Sequence, residues 1–491
     1  MAKFNSTAGT GTVNKGKHPA YAMGDKERFV TQVLTSFFGE PKFYGKTDHE
    51  ILTTARAVAK LEPEFIAKLA VFARCEFNMR SVSHVLAAIL AREPNGKKFV
   101  RRLIPSIVVR ADDVTEILSA YLHFYGKPVP NALKKGINDA FVRFDEYSLA
   151  KYKGEGNKLK MRDVPRICHP TPKDAGQSDL WKRLIAGELK RPYTWEVELS
   201  AKGNYSYTWE ELIWSGKVGY MALLRNLRNI ISAAPRNIDM VYETLADPER
   251  VRKSRQFPFR FLSAYNEIKG VRGATSKVYD TLEAALEVSV DNIPRIPGKT
   301  AIAVDVSGSM RDPVSRKSKM TCAEIGLLLG VIASRVCDES IFLTFDTEVY
   351  PQTVSKRGGI LPQVRNIPVR GGGTYMQKPF LYLRDGNIRV DRIIVLSDNQ
   401  CNCTHSGSGT AFQKHANAYR KKLNPDCWIH GIDLQGYGTQ QFTGERTNVI
   451  SGWSEKVLEF ITLAESGVDS LMERIEGVDM NRSVFTKTLS L

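Results

Sequence analysis

The run AVDVSGSM at residues 303–310 decides the fold of the C-terminal part of the chain. It begins inside the apolar stretch 300–306, which is typical of a buried strand. Asp305, Ser307 and Ser309 therefore lie where a strand of a parallel sheet ends, and such sheets bind ligands at that edge. Carboxylate and hydroxyl oxygens are the ligands that a hard cation such as Mg²⁺ prefers.

Two further oxygen donors follow downstream. Thr374 comes directly after three glycines, and Asp398 follows the apolar run 391–396. This run and other short apolar runs alternate with helical stretches, which predicts a doubly wound α/β domain over residues 291–491. The loops that carry the five donors meet at one edge of such a sheet. The sequence therefore predicts a site for one Mg²⁺-like ion with an open coordination position.

The first three-fifths of the chain has helical periodicity instead. Residues 51–60 and 65–74 form successive amphipathic segments, and Pro63 stands where the second should begin. Short helices with short connections favour a HEAT-like helical repeat domain over residues 25–290. A Gly-, Ser- and Thr-rich segment at 1–24 is expected to be a flexible arm. The predicted fold class is multidomain, α plus α/β.

Positive charge is concentrated in the helical region. The 491 residues carry a formal net charge of +17. Residues 1–290 hold 46 Lys and Arg against 32 Asp and Glu, whereas residues 291–491 hold 24 against 21. A basic domain beside a nearly neutral one suggests a polyanionic partner for the first. Simple solubility would explain the same composition equally well.

Targeting and redox signals are weak. No apolar run approaches the roughly 18–20 residues of a membrane span, and the N-terminus has no apolar signal-peptide core. Seven cysteines form no regular paired framework, which favours reduced thiols in a cytoplasmic protein without membrane contact. Cys401, Cys403 and His405 could bind zinc, but their spacing fits no common structural-zinc pattern, so an ordinary loop is the preferred interpretation.

The densest basic stretch is KYKGEGNKLKMRDVPRICHP at residues 151–170. Its lysines and arginines can neutralise phosphates, and Tyr152 and His169 offer rings on which bases can stack. A solvated charged loop with a structural histidine is the alternative. The stretch is therefore a candidate nucleic-acid surface, and composition by itself does not choose between the two.

Several blocks of sequence resemble a known family. Residues 298–490 are similar to the von Willebrand factor A domain with its metal-ion-dependent adhesion site. The helical region resembles the TROVE domain of the Ro autoantigen family and its bacterial and phage relatives. The blocks that carry the second resemblance are 34–45, 72–82, 130–136, 223–227 and 259–265.

The resemblance implies a ring of HEAT-like helix pairs closed by the A domain. It implies Y-like small RNAs on the outer surface and single-stranded 3′ ends of misfolded RNAs in the central hole. It also implies a Mg²⁺ ion whose missing ligand is a partner's carboxylate. The implied metal ligands are Asp305, Ser307, Ser309, Thr374 and Asp398. The implied RNA contacts are Lys151, Lys153, Arg162, Arg166 and His169, with Lys134, Lys135 and Arg225 near the hole or its rim.

Three functions remain open from the sequence. The preferred one is a monomeric, non-catalytic RNA-binding protein of RNA quality control, which in bacterial relatives works with a 3′-to-5′ exoribonuclease. A protein-interaction adaptor that works through the metal site is the second. A metal-dependent RNA hydrolase is the third, although a single carboxylate pair suits one open-sited metal better than two-metal phosphoryl chemistry.

Overall fold

The computed structural model describes residues 10–13, 19–22, 25–34, 46–154, 156–291, 293–313, 319–402, 410–435, 439–451, 456–465 and 471–480. The chain divides into two compact units. The helical unit comprises residues 36–197 and 472–491, and the composite unit comprises residues 1–35 and 198–471. Among the described helices, none is long and apolar enough to cross a membrane.

The first 290 residues are predominantly helical, as expected. In chain order the helices are α1 (Asp25–Leu34), α2 (Lys46–Leu61), α3 (Pro63–Cys75), α4 (Ser81–Arg92), α5 (Lys97–Ile107), α6 (Ala111–Tyr125), α7 (Asn131–Phe141), α8 (Glu146–Lys151), α9 (Asp163–Cys168), α10 (Ala175–Ala186), α11 (Trp195–Lys202), α12 (Ser206–Trp214), α13 (Tyr220–Ala233), α14 (Ile238–Ala246), α15 (Pro248–Ser254), α16 (Pro258–Ile268) and α17 (Ser276–Val290).

Local sequence sets several of these helix boundaries. Pro63 occupies the first turn of α3, where its missing N–H costs nothing. The Asp174 carboxylate accepts from the Gln177 N–H and begins α10, and Gly187 ends it with a left-handed φ of 82°. Within the helical unit α3 packs on α4, α4 on α6, and α5 on α7. Short helices that pack on near neighbours in the chain are the arrangement predicted for a HEAT-like stack.

The composite unit contains the α/β domain. Its strands and those of the N-terminal segment are β1 (Thr10–Val13), β2 (Pro19–Ala22), β3 (Ile296–Asp305), β4 (Cys337–Phe345), β5 (Val349–Gln352), β6 (Arg392–Ser397), β7 (Trp428–Asp433), β8 (Thr439–Gln440) and β9 (Thr447–Ser451). The remaining helices are α18 (Cys322–Val336), α19 (Ile360–Asn366), α20 (Lys378–Asp385), α21 (Ala411–Lys422), α22 (Lys456–Glu465) and α23 (Leu471–Glu476).

Six of the described strands form one sheet in the order β5-β4-β3-β6-β7-β9. All neighbours are parallel except β5, which pairs antiparallel with β4 at the edge. Helix α18 is buried along nearly its whole length and packs on β3 and β4. A Cβ at Gly330 of α18 would lie 2.8 Å from Val304 Cγ2, so glycine permits this close approach. The doubly wound α/β prediction is confirmed, with one antiparallel edge strand added.

The N-terminal segment differs from the expected flexible arm at 1–24. Residues Thr10–Val13 and Pro19–Ala22 form an antiparallel pair, and β2 continues the pairing to β8. The hydrogen bonds come from the backbone, so a Gly-, Ser- and Thr-rich composition does not reveal them. The partner strand β8 is also more than 400 residues away in sequence.

The compact units divide the chain at a different place from the predicted boundary near residue 291. Helices α16 and α17 pack against the A domain through paired polar groups. The Asn266 amide donates to Glu324 (3.0 Å), and Arg335 donates to Glu287 (2.7 Å). Glu283 accepts from the backbone N–H of Leu361 (3.0 Å). A change of hydrophobic period marks where the secondary structure changes, but these contacts decide which helices pack together.

Candidate metal centre and basic cleft

The oxygen donors predicted as metal ligands converge at the carboxyl edge of the sheet. Asp305 ends β3, and its carboxylate accepts from the Ser307 N–H (2.9 Å). The Ser307 and Ser309 hydroxyl oxygens lie 3.4 Å apart, and the Ser309 hydroxyl hydrogen-bonds to Asp398. Asp398 directly follows β6, the neighbour of β3. Parallel pairing of these two strands is therefore what brings the two carboxylates together.

Thr374 reaches the same edge on a glycine-rich loop. The Gly308 N–H donates to the Gly372 carbonyl (2.8 Å), and the Gly371 N–H donates to the Val306 carbonyl (2.9 Å). A Cβ at Gly308 would lie 3.2 Å from the Gly371 carbonyl oxygen, which is a tight contact with backbone. Two glycine-bearing loops thus lie against each other, and Thr374 is buried beside them.

Without a bound ion, burial makes the ionised carboxylates of this centre unfavourable. Asp305, Ser307 and Asp398 are completely buried. Burial, together with the negative charge of Asp398, raises the pKa of Asp305 well above its ordinary value. Burial also raises the pKa of Asp398, and the charge of Asp433 adds to the effect. A bound cation would stabilise the ionised form of two buried carboxyl groups that lie side by side.

The donor set fits a hard divalent cation. Asp398 Oδ2 is buried and has no hydrogen-bond partner, so one carboxylate oxygen is available for an ion. The neighbouring donors are hydroxyl and carboxylate oxygens, which suit Mg²⁺ rather than a soft metal. Among the described residues, no group of three or more His, Cys, Asp or Glu side chains could hold a metal. The predicted centre is not such a group, because three of its five donors are the hydroxyl oxygens of Ser307, Ser309 and Thr374.

Three residues around the centre are absent from the sequence prediction. The Ser397 hydroxyl donates to Asp305 (2.6 Å) and so orients that carboxylate. Asp346 accepts from the Gly372 N–H (3.3 Å) and supports the glycine loop. Asp433 ends β7 as Asp305 ends β3, and it is buried. A carboxylate at the end of a third parallel strand is the signal that could have revealed Asp433.

A basic cleft of about 190 Å³ lies on the helical unit. Lys153 and Arg162, both predicted from the sequence, line it together with Lys190 and Arg191. The loop between α8 and α9 closes on itself, since the Met161 N–H donates to the Lys153 carbonyl (3.0 Å). In the part of the chain that the structure describes, no carboxylate forms an ion pair with the Lys153 or Arg162 side chain. Lys190 lies near Glu146, which accepts from its backbone N–H (3.1 Å) and has a pKa lowered in part by the Lys190 charge. Lys153 and Arg162 are therefore available for an anionic ligand.

Three other predicted RNA contacts lie on the same unit but do not line the cleft. Arg166 pairs with Asp163 (3.6 Å) and donates to the Ile185 carbonyl (3.3 Å). The exposed His169 ends α9 in a left-handed conformation with φ of 52°. The Lys151 ammonium lies 5.5 Å from the Tyr152 ring centre, a cation–π contact. Lys190 and Arg191 were missed because they follow α10, about 20 residues beyond the basic run.

The three residues predicted near the central hole or its rim lie in different compact units. Lys134 and Lys135 lie on α7 of the helical unit, and Lys135 is exposed. Arg225 is exposed on α13 of the composite unit. Of the candidate zinc residues, Cys401 is buried, whereas Cys403 and His405 lie outside the described residues.

Family models match both parts of the chain. The TROVE domain model matches residues 40–186 and 171–278, and the Ro60 vWA domain model matches residues 299–428. Their order along the chain is that of the predicted domains. This chain belongs to the TROVE-domain Ro family.

Curated relatives of this Ro-family chain are distant. It is 29% identical over 361 residues to telomerase protein component 1 of Mus musculus, which covers 56% of the chain and 13% of that protein. It is 27% identical to RNA-binding protein RO60 of Caenorhabditis elegans and of Deinococcus radiodurans. Those matches cover 40% and 37% of the chain, and 32% and 37% of the relatives. The aligned region thus spans well under half of each relative.

A solved structure supports the fold. The crystal structure of the Deinococcus radiodurans RO (RSR) protein superimposes with a TM-score of 0.63 at 16% identity. The alignment covers 90% of this chain and 100% of that one. The predicted combination of a helical TROVE region and an α/β A domain is therefore confirmed.

Proposed function

We propose that this Ro-family protein is a non-catalytic RNA-binding protein that holds structured small RNAs on the basic cleft of its helical unit. The observation that carries the proposal is the grouping of Lys153, Arg162, Lys190 and Arg191 around one concavity. Cations without acidic partners neutralise phosphates and release condensed counterions, which provides most of the affinity for RNA. Two relatives are themselves named RNA-binding protein RO60, which supports the same class of ligand.

The finer features of the proposal follow the family resemblance. The RNA would be Y-like, and single-stranded 3′ ends of misfolded RNAs would bind in a central hole. Such a protein would act as a cytoplasmic monomer in RNA quality control, together with a 3′-to-5′ exoribonuclease. A-form RNA has a deep major groove that side chains cannot read, so recognition by backbone charge and shape is the mechanism that a basic cleft supports.

The metal centre has a separate role in this proposal. Asp305, Ser307, Ser309, Thr374 and Asp398 would hold one Mg²⁺, which would supply a Lewis-acidic position for a partner's carboxylate. The unpartnered Asp398 Oδ2 is the observation that favours this adaptor function. A hydrolase is the competing assignment for the same residues. Incubation of the purified protein with RNA and Mg²⁺ separates them, because cleavage that Asp305→Ala abolishes would establish an enzyme.

The RNA surface is tested by replacing Lys153, Arg162 and Lys190 together with alanine. We expect the affinity for a structured small RNA at 150 mM salt to fall by about 10- to 100-fold. The slope of log affinity against log salt should become shallower by about three, because each lost phosphate contact removes about 0.9 from it. Titration of labelled RNA at several salt concentrations measures both quantities.

A matched control removes the same charge from the nearly neutral A domain. Lys414, Lys421 and Lys422 are exposed on α21, and their joint replacement by alanine should leave affinity and slope close to the wild-type values. Equal losses in the two triple variants would mean that net charge alone drives binding. The basic cleft would then not be the RNA site.

A further inference from the structure

A second cavity, of about 550 Å³, opens within the composite unit. It lies between α13, α16, the turn that follows α16, and the segment that leads into α18. Four of its lining side chains are cationic, namely Arg228, Lys269, Arg272 and Lys319, and only Glu267 is anionic. The cavity is therefore strongly positive, although it belongs to neither of the sites described above.

Glu267 arranges two of the cations. It accepts from Lys319 (2.9 Å) and from Arg228 (3.3 Å), so one carboxylate holds both side chains at the cavity wall. The hydrogen bond from Lys319 keeps the pKa of Glu267 below its ordinary value, and nearby Arg228 contributes. Each cation in these pairs retains N–H groups that the carboxylate does not use.

Lys269 and Arg272 stand on the turn that closes α16. Gly270 has a φ of 76°, a left-handed conformation that lets the chain reverse directly after the helix. Both side chains are exposed, and no described carboxylate lies within ion-pair distance of either one. These two cations therefore face the cavity without internal neutralisation.

One wall of the cavity is lined by uncharged polar side chains. Asn266 lies there with its amide group fully engaged, since it donates to Glu324 (3.0 Å) and accepts from Arg365 (2.8 Å). Ser232 and Ser263 add hydroxyl groups to the lining. Hydrogen bonds to Glu324 and Arg365 therefore fix the position of Asn266 beside the cationic side chains.

We propose that this cavity binds adjacent phosphate groups, as in a nucleoside triphosphate or a short stretch of single-stranded RNA backbone. Its volume falls within the range of small-molecule sites, roughly 300–1,000 Å³. Arginine and lysine are the side chains that bind phosphate most strongly. The site does not depend on the proposed RNA surface, because it lies in the other compact unit and shares no residue with the basic cleft.

The test uses the full chain with Lys269 and Arg272 both replaced by alanine. A fluorescently labelled nucleoside triphosphate and a labelled single-stranded oligonucleotide serve as separate probes. We expect at least a tenfold loss of affinity, because two charge-assisted contacts are removed. The control replaces Arg250 and Lys253, which are exposed on α15 and do not line the cavity, and it should bind like the wild type.

The two probes distinguish the sources of phosphate. A loss confined to the triphosphate identifies a nucleotide site, and a loss confined to the oligonucleotide identifies an RNA-backbone site. Lys269→Arg with Arg272→Lys should restore binding in either case, because it keeps both charges. If the alanine variant binds both probes as tightly as the control does, the proposal is wrong. Structured-RNA affinity of the basic-cleft variant is measured independently, so the two proposals can fail separately.

Discussion

Replacing Asp113 with alanine will destabilise the helical unit by about 3–5 kcal/mol, because it leaves buried cations without their anion. Asp113 is completely inaccessible to solvent at the start of α6. Its carboxylate accepts from the backbone N–H groups of Val109 (2.7 Å) and Arg110 (2.8 Å). It also pairs with Arg80 and lies 3.7 Å from Arg74, which is itself buried.

This network joins three helices. Arg74 lies in the last turn of α3 and donates to the Ile107 carbonyl (3.1 Å). Arg80 precedes α4 and also contacts Asp112 and Glu116 of α6. Removing the central carboxylate therefore affects α3, α4 and α6 at once. Urea unfolding of the full chain gives the free-energy change. Hydrogen exchange of the amides of α4 and α6 shows that the loss is in this unit.

The matched control is Asp139→Ala. Asp139 also pairs with an arginine, Arg101 (2.7 Å), but both side chains are well exposed. Exposed ion pairs contribute only about 0–1 kcal/mol, so this change should hardly alter stability. A comparable loss in the two variants would show that the buried network has no special role.

The same network predicts the response to acid. Burial would raise the pKa of Asp113, but His84, Arg80 and Arg74 outweigh it and hold the pKa well below its ordinary value. A lowered folded-state pKa contributes stability that is complete above the unfolded value of about 4 and is lost as the pH falls towards the folded value. The stability difference between the wild type and Asp113→Asn should therefore be constant near neutral pH. It should shrink below about pH 4.

The second large effect concerns the metal centre. Mg²⁺ added to the chelator-treated wild-type protein should raise the free energy of unfolding by about 2.7 kcal/mol at 100 times its dissociation constant. Asp305→Asn should abolish this gain, because a neutral amide is a poor ligand for a hard cation. Thermal unfolding with and without Mg²⁺, followed through the melting temperature, measures both results.

Without Mg²⁺, Asp305→Asn should have the opposite effect on stability. Without an ion, Asp305 and Asp398 are buried side by side, and each disfavours ionisation of the other. Asp305→Asn removes that repulsion, so the metal-free variant should be more stable than the metal-free wild type at neutral pH. A single substitution should therefore raise stability without Mg²⁺ and remove the gain with it.

Asp312→Asn is the control for this site. Asp312 is exposed just beyond Ser309 and is not among the predicted ligands, so the Mg²⁺-dependent gain should persist in that variant. RNA affinity should also be unchanged in Asp305→Asn, because the basic cleft lies in the other compact unit. If Mg²⁺ does not change the melting temperature of the wild-type protein, the proposed metal site is wrong.

The grouping of the proposed metal ligands at one edge of the sheet could be predicted from the sequence because strand ends are local signals. An apolar run followed by Asp305 or Asp398 marks the end of a parallel strand, and parallel strands bring their carboxyl ends together. Ser397, Asp346 and the buried Asp433 were not predicted. Their roles depend on side-chain orientation within the loops, and hydrophobic periodicity carries no information about it.

The basic cleft was predicted in part for a similar reason. Lys153 and Arg162 lie in one dense basic run, so composition reveals them. Lys190 and Arg191 reach the same cleft only because α10 returns the chain to the loop between α8 and α9. The cavity lined by Lys269 and Lys319 joins residues 50 positions apart, and no local pattern connects them.

By itself, the sequence determined the two kinds of secondary structure, the order of the domains and the donors at the strand ends. These features depend on period and on residue chemistry within short windows. Tertiary structure alone decided that helices α16 and α17 pack with the A domain, and that β1 and β2 pair with β8. It also decided which cations share a cavity. Such contacts join residues distant in the chain, and their stability depends on burial and pairing that exist only after folding.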